Sequence, residues 1–176
     1  MTIKGWICNL GKYNEGYLAG EWIEFPIDKE ELKAVYKRIG IGAPDECGGV
    51  YEEVFFADWD CSCNLGFGEY TSIKEVNEIA ERLDELDVDD DIAEAIIDYC
   101  NDLNEALDIL ERERYMTWTG CEDMTDVARK HISEYYDLDT IPEPFAEYFD
   151  YEAYGRTLET CGTFIAYENG YLEITY

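Results

Sequence analysis

The sequence predicts an α+β chain in three parts: a small α/β N-terminal domain over residues 1–68, an acidic helical domain over 69–113, and an α/β C-terminal domain over 114–176 ending in a β-hairpin. Three observations carry that prediction. Strand-like runs punctuated by Gly, Asn and Pro fill the first part. Apolar periodicity of helical type, with hardly a basic residue, fills the second. Mixed periodicity closing at Asn169-Gly170 fills the third.

In the first part, Ile3 to Cys8 and Tyr17 to Phe25 read as strands joined by a loop from Asn9 to Gly16, and Pro26 ends the second strand. Asp28 followed by Glu31 is a helix start of capping-box type. Leu32, Val35, Tyr36 and Ile39 then recur at helical spacing until Gly40 stops them. Val50 to Trp59 reads as a third strand, and Asp60 to Glu69 as a linker-like run.

In the second part, Thr71 or Ser72 caps a helix whose apolar row is Ile73, Val76, Ile79, Ala80, Leu83 and Leu86. After the acidic turn Asp87 to Asp91, a second helical stretch is expected to bury Ile92, Ile96, Tyr99, Cys100, Leu103, Leu107 and Leu110, with Asn101 and Asn104 as places where it breaks. In the third part, Tyr115 to Thr119 is a short strand. Met124, Val127, Ala128, His131, Ile132 and Tyr135 form a helical row, Pro142 and Pro144 mark a loop, and a helix spans Tyr151 to Glu159. Thr163 to Tyr167 and Tyr171 to Tyr176 pair around Asn169-Gly170, a type I′ turn signal.

Charge separates this chain from ordinary α+β domains. Asp and Glu total 42 against 13 Lys and Arg, a formal net charge of -29, yet 47% of residues are hydrophobic and 15% aromatic. That burial capacity excludes a disordered acidic tail. Self-repulsion on such a scale calls for a strongly basic partner surface, and the same sign argues against direct binding of nucleic acid or anionic membranes. No apolar run approaches a secretory signal or a membrane span, so a cytoplasmic protein is expected.

The acids fall into rows. Glu75, Glu78, Glu81 and Glu85 lie opposite the apolar row of the first helix, and Asp87, Asp89, Asp90 and Asp91 crowd the turn. Asp91, Glu94, Asp98, Asp102, Glu105 and Asp108 follow at spacings of three or four, along one side of the second helical stretch. Like charges at such spacing destabilise a helix by roughly 0.2–0.5 kcal/mol per pair, and a merely solvated face alternates Glu with Lys. Here only Lys74, Arg82 and Arg112 interrupt the acids. Acids three or four apart recur every roughly 4.5–6 Å of helix axis, against about 3.4 Å between phosphates of one DNA strand. Two adjacent rows therefore approach the charge density of duplex DNA.

Other constellations lead nowhere. Asp87 to Asp91 begins like a calcium loop, but Ile92 stands where the sharp turn needs Gly, and Asp98 stands where Glu should close the loop. Cys61-Ser62-Cys63, with Cys47 upstream, lacks a second Cys or His pair for zinc; the cysteines read as free thiols, and His131, the one histidine, as a packed side chain. No Gly-rich phosphate loop, nucleophile elbow or histidine triad is present. The chain is expected to be no enzyme, with no catalytic residue, no metal and no cofactor.

Two blocks carry a family resemblance. The first runs Leu10-Gly11-Lys12-Tyr13-Asn14-Glu15-Gly16, then Gly20-Glu21-Trp22 and Phe25-Pro26-Ile27-Asp28. The second runs from Asp123-Met124-Thr125-Asp126-Val127-Ala128-Arg129 through Ile141-Pro142 to the segment Tyr148 to Leu158, then Gly162-Thr163-Phe164-Ile165. In this order and spacing they resemble the ArdA antirestriction family over essentially the full length. Tyr148, Phe149, Tyr151, Tyr154, Gly155, Arg156 and Leu158 resemble the family's antirestriction motif, and Thr157 stands where members commonly carry an acid.

The resemblance implies an elongated, non-enzymatic DNA mimic from a mobile genetic element, dimerising through its C-terminal part. Its implied partner is the methyltransferase core of a type I restriction-modification enzyme. By the same analogy Tyr115, Met116, Thr117, Trp118 and Thr119 lie near the dimer interface. Tyr151, Tyr154 and Leu158 also have the spacing of core residues, which would leave Glu147, Asp150 and Glu152 as that segment's DNA-like contribution. A general acidic adaptor for another basic DNA-binding protein and an ordinary domain from a salt-adapted organism are the alternatives.

Overall fold

In the computed structural model, which describes residues 1–45, 47–136 and 148–175, the N-terminal sheet is built on β1 (Ile3–Asn9), with β2 (Gly20–Phe25) and β3 (Val54–Cys61) antiparallel on either side. Ile3 and Ile7 on β1, with Ile23, Phe25 and Phe56, are buried on one face. That face receives α2 (Lys29–Ile39) through Val35 and Ile39, and α3 (Ile73–Asp84) through Val76. Gly5 admits the rings of Phe56 and Trp59, whose atoms lie 2.8–2.9 Å from where its Cβ would stand.

Local chemistry sets the boundaries. Asp28 accepts the Glu30 and Glu31 amides at the start of α2, and Gly40 ends it at φ 85. The expected loop from Asn9 to Gly16 contains a short helix, α1 (Leu10–Asn14), which the turn-forming residues hide from periodicity. Asn9 caps it and is fully buried; its amide also donates to the Ile39 carbonyl at 3.2 Å, tying β1 to the end of α2. β2 begins at Gly20, not Tyr17, since Tyr17 and Leu18 stay exposed. β3 begins at Val54, later than expected, because Val50 makes only an isolated bridge to Pro44. The linker-like run Asp60 to Glu69 is packed in part, with Cys63 and Leu65 buried.

The chain divides into two compact units, Met1–Asp87 and Val88–Tyr176. α3 belongs to the first, held there by Asn77, whose side chain both accepts from the Ile27 amide and donates to the Ile27 carbonyl at 2.8 Å. The second unit opens with α4 (Asp90–Tyr99) and α5 (Leu103–Glu111), which bury Ile92, Ala93, Ile96 and Ile97, and Ala106, Leu107, Ile109 and Leu110. The stretch breaks at Cys100, in extended conformation, and Asp102 caps α5; Asn104 lies inside that helix. Tyr99, expected in the core, is exposed, because α4 buries adjacent pairs rather than a single row.

The second sheet has the order β4 (Tyr115–Thr119), β6 (Gly170–Ile174), β5 (Thr163–Tyr167), all antiparallel. Leu172 and Ile174 are buried on the central strand, and α4 packs on β5. Trp118 joins Cys121, Val127, Leu158 and Phe164 in a cluster with α6 (Met124–Tyr135) and α7 (Tyr151–Cys161). The closing hairpin forms as expected, but its turn is not type I′. Tyr167 pairs with Gly170, so the loop is Glu168-Asn169, and neither residue has positive φ. Gly170 answers instead to its neighbouring strand, since a Cβ there would lie 2.3 Å from the Trp118 carbonyl oxygen where β4 passes close by. Among the described residues, no helix is long and apolar enough to cross a membrane.

Candidate functional site

The acidic rows lie on short amphipathic helices whose starts suit negative charge. Ser72, Asp102 and Asp150 cap α3, α5 and α7 through their side-chain oxygens. Glu75, Asp90, Asp91, Glu105 and Glu152 occupy first turns, where the helix dipole favours an acid by about 0.3–1 kcal/mol each. That placement offsets much of the like-charge repulsion, so the sequence keeps its helices without interleaved lysines.

Of the fifteen predicted acids within the described residues, twelve are exposed, and three (Asp91, Glu94 and Asp108) are half-buried. Glu147 and the Pro142-Pro144 loop lie outside the described residues. In the first unit, Glu75, Glu78, Glu81 and Glu85 are exposed along the side of α3 away from Val76, Ala80 and Leu83, with Asp87 beyond them. Lys74 pairs with Glu78 at 3.3 Å on the exposed surface. In the second unit, Asp89, Asp90 and Asp98 are exposed on or beside α4 and Glu105 on α5. The expected single row from Asp91 to Asp108 is thus carried by two helices.

Several of these acids also serve the fold. Asp91 accepts from the Asn169 amide at 2.9 Å, and Asp108 pairs with Arg112 at 2.7 Å and with Arg114. Glu152 pairs with Arg156 on α7. In the first unit Glu75, Glu81, Glu85 and Asp87 face solvent, and in the second Glu105 does, so each unit can present carboxylates to a basic surface. Other exposed acids escape a reading by helical rows: Asp84, Glu111 and Glu113 beside the rows, and Glu24, Asp58 and Asp60 on the first sheet. Strand alternation of Asp58 and Asp60 about Trp59 is the signal that marks the last two.

The tyrosine-rich segment behaves differently. Gly155 is buried where α7 crosses α6, and a Cβ there would stand 2.5 Å from the Met124 carbonyl oxygen. The Tyr154 hydroxyl meets His131 Nδ1 at 3.2 Å, and the His131 ring also packs against Trp118, Tyr135 and Tyr136. Burial, then Tyr136 and Glu173 nearby, raise the Tyr154 phenol above its usual range. Phe149 packs edge-on against Tyr151 and Tyr154, Arg129 lies 4.6 Å from the Tyr151 ring centre, and Leu158 joins the Trp118 cluster. Of the motif residues, Tyr148, 85% exposed, and Arg156 stand out in solvent, beside the exposed acids Asp150 and Glu152.

On β4, Met116, Thr117 and Thr119 are exposed, Tyr115 is half-buried and Trp118 is buried. β4 pairs with β6 alone among the described residues, so its other edge is open. A groove of about 440 Å³ lies between Met116 to Thr119 and the α6 residues Lys130, Ser133 and Glu134. Burial, with Glu113 and Asp89 nearby, raises the Tyr115 phenol.

Residues 5–173 match the family described as antirestriction protein (ArdA). No curated protein matches the chain. With nearly the whole length covered, the chain belongs to the ArdA antirestriction family.

Proposed function

We propose that this ArdA-family chain inhibits type I restriction-modification enzymes by occupying the DNA-binding groove of their methyltransferase core, with Asp and Glu carboxylates standing in for phosphates. The observation that carries the reading is that no described acid of the predicted set is buried, in a family member of net charge -29. Family membership supports the antirestriction role; the exposure of the acids supports the means. Two copies associate through the C-terminal part, near the open edge of β4, and together match the charge of about 100 Å of duplex as a ceiling. The protein acts without cofactor in the cytoplasm of a bacterium carrying the mobile element that encodes it.

A competition experiment tests this. The protein is titrated into a type I methyltransferase core bound to labelled DNA containing its recognition site, at low and at higher salt. The expected result is displacement near stoichiometry that weakens with salt, since screening shortens the reach of exposed charges. Failure to displace at any salt by folded protein would overturn the reading.

A further inference from the structure

The N-terminal sheet has a second face that none of the acidic helices explains. Strand pairing places Trp22 beside Trp6 and Trp6 beside Asp58, with Glu24, Lys4 and Asp60 in the adjoining row. The two indoles meet edge-on, with ring centres 5.6 Å apart and planes at 74°. Trp22 is 45% exposed despite its size, and Glu24, Asp58 and Asp60 are exposed around the pair. α2 and α3 cover the opposite face. Three acids against one lysine give this patch the sign that attracts cations, and indole faces are the best aromatic partners for a guanidinium. A second copy would bring the same acids against themselves, which disfavours self-association through this face.

We propose that this open face is a docking surface for arginine side chains of a basic protein partner, which stack on the Trp6–Trp22 pair and meet the carboxylates of Asp58 and its neighbours. The identity of the partner as a methyltransferase core rests on the function proposed above; the chemistry of the face does not. Exposed carboxylates lose their hold as salt rises, whereas indole stacking persists, so the face supplies a salt-resistant part of the affinity.

The test is titration of the full chain with hexa-arginine, read through its four indole N–H resonances, with thermal melting to confirm that each variant is folded. Trp6 and Trp22 are expected to shift while Trp59 and Trp118 stay. Trp22→Ala should weaken binding about fivefold or more. Asp58→Asn, which removes charge without bulk, should weaken it about threefold. Equal shifts in all four indoles, or unchanged affinity in both folded variants, would overturn the proposal. The same variants in the DNA-displacement experiment separate the two claims. Displacement by wild type that neither variant weakens removes the docking face from that complex and overturns it. No displacement by wild type, with the hexa-arginine result intact, removes the restriction enzyme as partner and upholds the face.

Discussion

The tyrosine-rich segment 148–158 turns most of its apolar side chains inward, whereas α3, α4 and α5 turn their carboxylates outward. In the first, the packed residues have definite neighbours: Gly155 against Met124, Tyr154 against His131, Leu158 in the Trp118 cluster. In the second, Glu75, Glu81 and Glu105 are exposed among other exposed acids. Of the residues that resemble the family's motif, all but Tyr148 and Arg156 are at least half-buried. On the function proposed above, the working surface is a sum of weak charges in which no single residue decides. Substitutions in the first region should act on stability, and those in the second on binding.

The largest effect is expected at the helix crossing. Gly155→Val must push α7 away from the Met124 backbone and should cost about 1–3 kcal/mol or more, read as a lowered urea midpoint. Asn77→Ala comes next. It leaves the Ile27 amide and carbonyl without the partner that pins α3, and should cost about 1–3 kcal/mol. Because Asn77 pins α3, which carries Glu75, Glu78 and Glu81, amide exchange in α3 should quicken more than in β1 of the same variant.

Tyr154→Phe removes the hydroxyl that meets His131 and should cost about 0.5–1.5 kcal/mol near neutral pH. Its pH dependence is the sharper reading. The phenol is raised in the folded state above the ordinary 10.0, so the unfolded chain ionises first. The stability that Tyr154 contributes is thus full below the unfolded value and is lost as pH rises through the folded one. Unfolding followed across that alkaline range should show a shallower fall in Tyr154→Phe than in wild type. The smallest effect is expected at a single acid. Glu81→Gln should leave stability unchanged or raise it by about 0.2–0.5 kcal/mol, through relief of like charges at Glu78 and Glu85. It should weaken binding less than about fivefold.

Legibility in the sequence followed the same division. Among the described residues, periodicity located each long helix, because the apolar row of a surface helix is a direct imprint of what it packs on. Alternation located β1, β4 and the final hairpin for the corresponding reason. Where turn chemistry and tertiary contacts compete, sequence and structure part. Asn9 looks like a loop residue but caps α1 from inside the core, and Gly170 looks like a turn glycine but answers to the neighbouring strand. The break after Tyr99 falls to Asp102, an acid whose capping role is hidden in a run of acids chosen for charge. The exposure of twelve of the fifteen predicted acids within the described residues was legible, since exposure of Asp and Glu is the default, whereas Asp91, Glu94 and Asp108 are half-buried. The open Trp6–Trp22 face was not, because it depends on which strands pair across 16 to 56 residues of chain.

On the proposed function, the outward carboxylates, not the packed aromatic side chains of segment 148–158, contact the partner. The most direct measurement compares two folded variants in the DNA-displacement experiment. One carries Glu75→Gln, Glu78→Gln, Glu81→Gln and Glu85→Gln together, and the other carries Tyr154→Phe. The account predicts that the fourfold variant loses displacement by about tenfold or more while its salt dependence becomes shallower, and that Tyr154→Phe displaces as wild type does at temperatures where it is folded. Wild-type displacement by the fourfold variant, with loss in Tyr154→Phe, would contradict it.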